Sequence, residues 1–440
     1  VGSVGGVPRI FAVTGNELAN GMYSISAGEI NYALETLPDG FLLSGSWCSF
    51  AQLNDVLYCA QAGDSQSPIA YVGDGWKSAV PVAPVTAPTG VVGAAETGVD
   101  LGDHYYRVRF MYRNGTSVAG PMSAPIKTTS GNLKVTITLY SGSVDPVSAY
   151  DSDFIFSRLE RTKDGGGASG NWWWVANIPK GTTTYPDTRA DADLFERVDA
   201  GLFGGLPHMD GMVVFQRRIV GWSGSTVFVS QVPGDVQGTG PMNFDPDLTY
   251  EVGGDDGDQI AQVVVQGDRL VAFKSMSWYG LEGDPTDFSV IELGRGDGAA
   301  GPRCVTSSGS TLFVLGEDGW RIMRSNALEP FGEEEVGHYI AEMAIGLKNL
   351  CVARTYRGRF VLLWYPSLNS TYCDQVVGFD LARRNFIHFI GWPANDVLPL
   401  EASADFGAAT LVSAEPGVTI VSQGWSVGWG ENWGSTWGGD

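Results

Sequence analysis

A short polar turn followed by an apolar strand recurs along this chain, and that repeat restricts the fold more than any other feature. It reads Asn54-Asp55-Val56-Leu57-Tyr58, then Arg217-Arg218-Ile219-Val220-Gly221-Trp222, then Gly267-Asp268-Arg269-Leu270-Val271-Ala272-Phe273. Further copies are Gly309-Ser310-Thr311-Leu312-Phe313-Val314 and Arg357-Gly358-Arg359-Phe360-Val361-Leu362-Leu363-Trp364. Arg218 and Arg269 are 51 residues apart, Arg269 and Thr311 42, and Thr311 and Arg359 48. A second strand follows each of the last four copies: Ser225–Ser230, Ser277–Leu281, Trp320–Met323 and Val376–Asp380. Periods of about 40–50 residues holding a few strands each are the signature of propeller blades. One such sheet cannot cover both its faces, so sheets must stack around an axis. The expected fold is all-β, a β-propeller of six blades, with seven the alternative count.

The repeat breaks between Asp55 and Arg218, a gap of 163 residues that holds one blade and an insertion. The insertion begins at Pro81-Val82-Ala83-Pro84-Val85-Thr86-Ala87-Pro88, which cannot form a central strand. Beyond it, residues 104–112, 133–139, 154–161 and 172–176 alternate in the manner of half-buried strands. With the Thr184-Tyr185-Pro186-Asp187 exit, this stretch resembles a fibronectin type III-like β-sandwich. The expected organisation is residues 1–85 propeller, 86–200 inserted sandwich, 201–424 propeller and 425–440 a Trp/Gly-rich tail. Strands near 409–412 and 418–421 are expected to complete the blade begun by Arg9–Val13, because closure removes free sheet edges. Helix is expected only at Glu333–Met343.

Several function classes lack their signatures. There is no G-x-S-x-G elbow, no H-E-x-x-H and no G-x-x-x-x-G-K-[ST] loop, and the four histidines lie far apart. No catalytic residue, cofactor or enzymatic activity is expected. No apolar run reaches the length of a membrane span, and Val1–Gly6 has neither the basic nor the apolar part of a signal peptide. Five scattered cysteines argue against a disulfide framework or zinc site and for buried thiols. A net charge of −22 lacks the basic surface that grips phosphates, but it suits a wall past which DNA slides.

Three stretches merit attention as sites. Asp255, Asp256 and Asp258 cluster carboxylates as Ca²⁺ requires, although their spacing does not alternate as in a calcium loop. An ordinary connecting turn is the plainer reading. Trp425, Trp429, Trp433 and Trp437 recur every four residues among glycines that disfavour helix, and they are candidates for an interface with a neighbouring subunit. Trp172 to Trp174 offer aromatic faces on which sugars would stack.

The order of three stretches gives the chain a family resemblance. Ser49–Tyr58 comes first; Asp268–Lys274 leads to Trp278–Asp284; Ala299–Arg303 is followed by Leu312–Trp320. In these regions the chain resembles the tail-nozzle, or tubular tail (packaged-DNA stabilisation), proteins of short-tailed bacteriophages (podoviruses). The resemblance implies a virion structural protein of the viral tail: a homohexamer that continues the tail tube, conducts and gates genome DNA during ejection, and carries distal parts. Its implied partners are further copies of itself, a portal-proximal adaptor, tail fibre or needle proteins, and DNA passing without specific binding. The competing class is a tail adhesin that binds the host surface or a glycan.

Overall fold

The computed structural model describes residues 47–394, apart from 64, 73–74, 95–97, 130–133, 141–153, 168–169, 233–237 and 357, together with 2–4, 7–14, 21–26, 33–38, 397–399 and 411–413. The described chain is all-β in class, with its strands in several small antiparallel sheets. No helix among the described residues is long and apolar enough to cross a membrane.

Six sheets are four-stranded meanders or near relatives of one. Sheet 1 holds Gly2–Val4, Val7–Thr14, Gly21–Ser26 and Ala33–Leu34. Sheet 2 holds Cys48–Leu53, Val56–Gln61, Ile69–Tyr71 and Trp76–Ser78. Sheet 3 runs Gly211–Phe215, Arg218–Ser223, Thr226–Ser230 and Asn243–Glu251, with Gly204–Gly205 added at its edge. Sheet 4 is Gln262–Gln266, Arg269–Phe273, Ser277–Glu282 and Ser289–Arg295; sheet 5 is Val305–Ser308, Thr311–Gly316, Gly319–Met323 and Leu328–Pro330. Sheet 6 is Val352–Tyr356, Phe360–Tyr365, Cys373–Asp380 and Asn385–Ala394. In sheets 2 to 6 the repeated sequence signal is the hairpin turn from the first strand to the second.

Those second strands are apolar between their ends because both of their faces are covered. Side chains alternate across a strand, so each second strand serves two cores. In sheet 4, Leu270 and Ala272 join sheet 3 residues Val220 and Trp222, while Val271 and Phe273 join sheet 5 residues Leu312 and Val314. In sheet 5, Phe313 and Leu315 turn the other way, onto Val361 and Leu363 of sheet 6. Val56, Tyr58 and Ala60 of sheet 2 meet Ile219 of sheet 3. Sheets 2 to 6 are therefore stacked in chain order through shared cores.

The insertion has a core of its own, drawn from residues 92–194. A four-stranded sheet, Gly115–Thr116, Tyr106–Tyr112, Phe154–Thr162 and Trp172–Pro179, packs on a three-stranded one, Thr184–Asp187, Val135–Thr138 and Thr89–Val92. Arg161 ties the two layers: it donates to Asp187 at 2.7 Å, and the Tyr106 hydroxyl donates to the same oxygen at 2.9 Å. The one α-helix of the described residues, Glu333–Ala341, buries Val336 and Ile340 between sheets 5 and 6, where sequence placed it.

The expected closure is not what forms. Leu411–Ser413 pairs with Val397–Pro399, whereas Val7–Thr14 pairs with Gly2–Val4 and Gly21–Ser26, so the two ends lie in different sheets. The nearer partner wins because its connection is short and loop closure costs less. Residues 418–421 lie outside the described residues.

Candidate functional site

The first strands of sheets 2 to 6 lie side by side in chain order, and side chains bind sheet 2 to sheet 3, sheet 4 to sheet 5 and sheet 5 to sheet 6. Ser49 Oγ donates to the Met212 carbonyl at 3.2 Å and accepts from the Met212 N–H at 3.1 Å. Gln262 does the same for Val305, donating through Nε2 at 3.0 Å and accepting at Oε1 at 2.9 Å. Thr355 Oγ1 donates to the Ser307 carbonyl at 2.7 Å and lies 3.1 Å from Thr306 Oγ1. These five strands contain no Asp, Glu or His, and Arg354 is their only charged residue. Ser49, Gln262 and Thr355 thus direct their polar atoms to the backbone of the neighbouring strand. The array works as a seam.

The Asp255–Asp258 loop already has a cation. Lys274, fully buried, donates to Asp256 Oδ1 at 2.7 Å and to the Gly253 carbonyl at 2.8 Å. Burial pushes the Asp256 carboxyl up, but Lys274 and the Asp258 N–H outweigh it and hold Asp256 below the usual range. Asp258 accepts from Ser275 Oγ at 2.8 Å and from Met276 N–H at 3.1 Å, while Asp255 is exposed. The described residues hold no cluster of three or more His, Cys, Asp or Glu suited to a metal. Of the Ca²⁺ candidates, Asp256 anchors Lys274 and Asp258 holds Ser275 and Met276.

Each of the three tryptophans is half-buried and has a cation over its ring. The Arg107 guanidinium lies 4.1 Å over Trp172, Lys163 Nζ 3.8 Å over Trp173, and the Arg158 guanidinium 4.7 Å over Trp174. Residues 195–198 run alongside as an extra edge, with Phe195 N–H on Trp174 O at 3.1 Å and Val198 N–H on Trp172 O at 2.9 Å. Behind them Glu160, with no solvent access, accepts from Arg107 at 2.5 Å and Arg109 at 2.6 Å. The sandwich is also clipped to sheet 3. Asn243 accepts from the Thr116 N–H at 2.8 Å and donates to the Thr116 carbonyl at 2.7 Å.

Sequence spacing gave no sign of one grouping. His338 and His388, fifty residues apart, flank Tyr339, with ring centroids at 3.8 and 3.7 Å. His388 Nε2 lies 2.9 Å from Gln375 Oε1, which places a proton on that nitrogen. Burial and the His338 charge push His388 down, against Glu342. No periodic signal links these residues; only the docking of the helix onto sheet 6 does. Trp425, Trp429, Trp433 and Trp437 lie outside the described residues.

No family profile and no curated protein matches the chain. Among solved structures, a "putative 6-phosphogluconolactonase" from Bacteroides uniformis is 13% identical with a TM-score of 0.31, covering 71% of this chain and 93% of its own. A "Putative exported protein" from Bacteroides fragilis is 9% identical with a TM-score of 0.26, covering 53% and 68%. Similarity this slight carries neither fold nor activity across.

Proposed function

We propose that this chain is a non-catalytic structural protein of a short bacteriophage tail, a nozzle subunit that forms a ring and conducts genome DNA. In this reading sheets 2 to 6 are blades of a six-bladed propeller. Residues 86–200 form an inserted, fibronectin type III-like sandwich. The outer faces of the end sheets support a sixth blade. Sheet 2 presents Leu57, Cys59 and Tyr71, and sheet 6 presents Leu362, Trp364 and Val376, each an apolar set on the side away from its neighbour in the stack. Gly2–Val4 lies against Val56–Gln61, and Val397–Pro399 against Val352–Tyr356.

The observation that carries the functional reading is the seam of first strands. A propeller enzyme needs polar groups free to act near its axis, and here those groups bond the strands together. The covered tryptophans weigh against the adhesin. Mass photometry and negative-stain imaging of the purified chain test the proposal. Closed rings of six are expected. A monomer at micromolar concentration that binds a glycan array would overturn it in favour of the adhesin.

A further inference from the structure

Three of the five cysteines, far apart in sequence, meet where sheets 5 and 6 adjoin. Cys304 directly precedes the first strand of sheet 5, and Cys351 directly precedes the first strand of sheet 6. The Ala353 N–H donates to the Arg303 carbonyl at 2.8 Å, which fixes the two backbones side by side at this point. Cys304 Sγ lies 3.6 Å from the Lys348 carbonyl oxygen and 3.9 Å from the Cys351 carbonyl oxygen. Met343 Sδ closes the pocket 3.3 Å from Cys351 Sγ. Cys373 directs its thiol elsewhere, to the Leu350 carbonyl at 3.3 Å. All three cysteines are buried and reduced. A disulfide needs Cα atoms about 5.5–6 Å apart, so its two residues must come from backbones that adjoin, as these do.

We propose that Cys304 and Cys351 are a dithiol that closes to a disulfide when the protein meets a low-molecular-weight disulfide, stapling sheet 5 to sheet 6. One protein thiolate attacks a sulfur of the small disulfide, forming a mixed disulfide and releasing one small thiolate. The second protein thiolate attacks the protein-borne sulfur and displaces the other. Two protein S–H bonds are lost and one S–S bond forms. The two electrons and two protons leave on two small-molecule thiols. The neighbouring Cys304 thiol and burial hold the Cys351 thiol protonated well above its usual range, so the exchange awaits local opening of the strand ends. A chain folded under reducing conditions would then be locked across two sheets after transfer to oxidising surroundings.

The test uses the full chain, oxidised glutathione and sub-denaturing urea, followed by alkylation of the remaining thiols and peptide mass mapping. The expected product is a peptide pair joined through Cys304 and Cys351, lighter by two hydrogens, reversed by dithiothreitol, with a raised urea midpoint. Cys304→Ser should lose both the link and the shift, and Cys373→Ser should keep both. Glutathione adducts without a link, or a link through Cys373 or Cys48, would overturn the proposal. The wild-type map decides this even if a variant does not fold.

Discussion

Glu160 has no access to solvent and is shared by two arginines, Arg107 and Arg109, so it neutralises charge that nothing else at that face reaches so closely. Breaking such a buried group on one side costs about 3–5 kcal/mol, because the partner charges stay buried. Glu160→Gln should lower the unfolding free energy by about 3 kcal/mol in urea titrations; a loss below about 1 kcal/mol would mean that the arginines recover water. His388 gives a pH dependence of definite sign. Its folded value is depressed while an unfolded histidine titrates near about 6.5, so the unfolded chain takes the proton first. The contribution of His388 is therefore present above that value and lost as pH falls through the folded one. Stability of the wild type relative to His388→Gln should decline below about pH 6.5 and be level above it, as read from urea midpoints across pH. Equal slopes in the two proteins would refute the assignment. None of these partnerships was legible in sequence. Arg107 and Glu160, or His338 and His388, are joined by strand register and helix docking, to which local spacing is blind. The aspartates were legible as a cluster, but their partner Lys274 reached them only through the fold.

Hairpin turns were the most legible elements, and for a physical reason. Each first turn of sheets 2 to 6 has a residue in the left-handed region: Asn54 (φ 55°), Arg217 (φ 63°), Gly267 (φ 64°), Gly309 (φ 61°) and Gly358 (φ 60°). Residues tolerant of that region recur at four of these positions, and each turn is followed by a strand buried on both faces, so the signal is local and strong. Outer strands were harder to see. Ser289–Arg295 is largely exposed and Leu328–Pro330 barely buried, so neither carries an apolar pattern. A Cβ at Gly309 would meet no atom within 4 Å, which leaves the backbone penalty as the main cost. Gly309→Val should therefore cost about 1–2 kcal/mol without altering the sheet, whereas Asn54→Gly should be neutral or slightly stabilising. Thermal melts of both variants check the pair. A neutral Gly309→Val would show that the turn adopts another conformation in solution.

Acids outnumber bases by 49 to 27 in the whole chain, yet the first strands of sheets 2 to 6 contain none of the acids. The negative charge is thus carried by the later strands, the helix, the connections, the insertion and the end segments. If six copies form a tube, its wall is built from those parts rather than from the seam within each subunit. Basic side chains on such a wall would release counterions on meeting phosphates and hold the duplex in place. Carboxylates would instead repel it slightly, which lowers friction for DNA driven through under pressure. The alternative is that the acids are spread over the outside and serve only solubility. The assembled ring should therefore expose mainly Asp and Glu to its central channel. Purified rings should also leave duplex DNA unshifted in electrophoresis at physiological salt. A channel rich in Lys and Arg in an image of the ring, or tight DNA binding at that salt, would refute the sliding mechanism while leaving the ring itself intact.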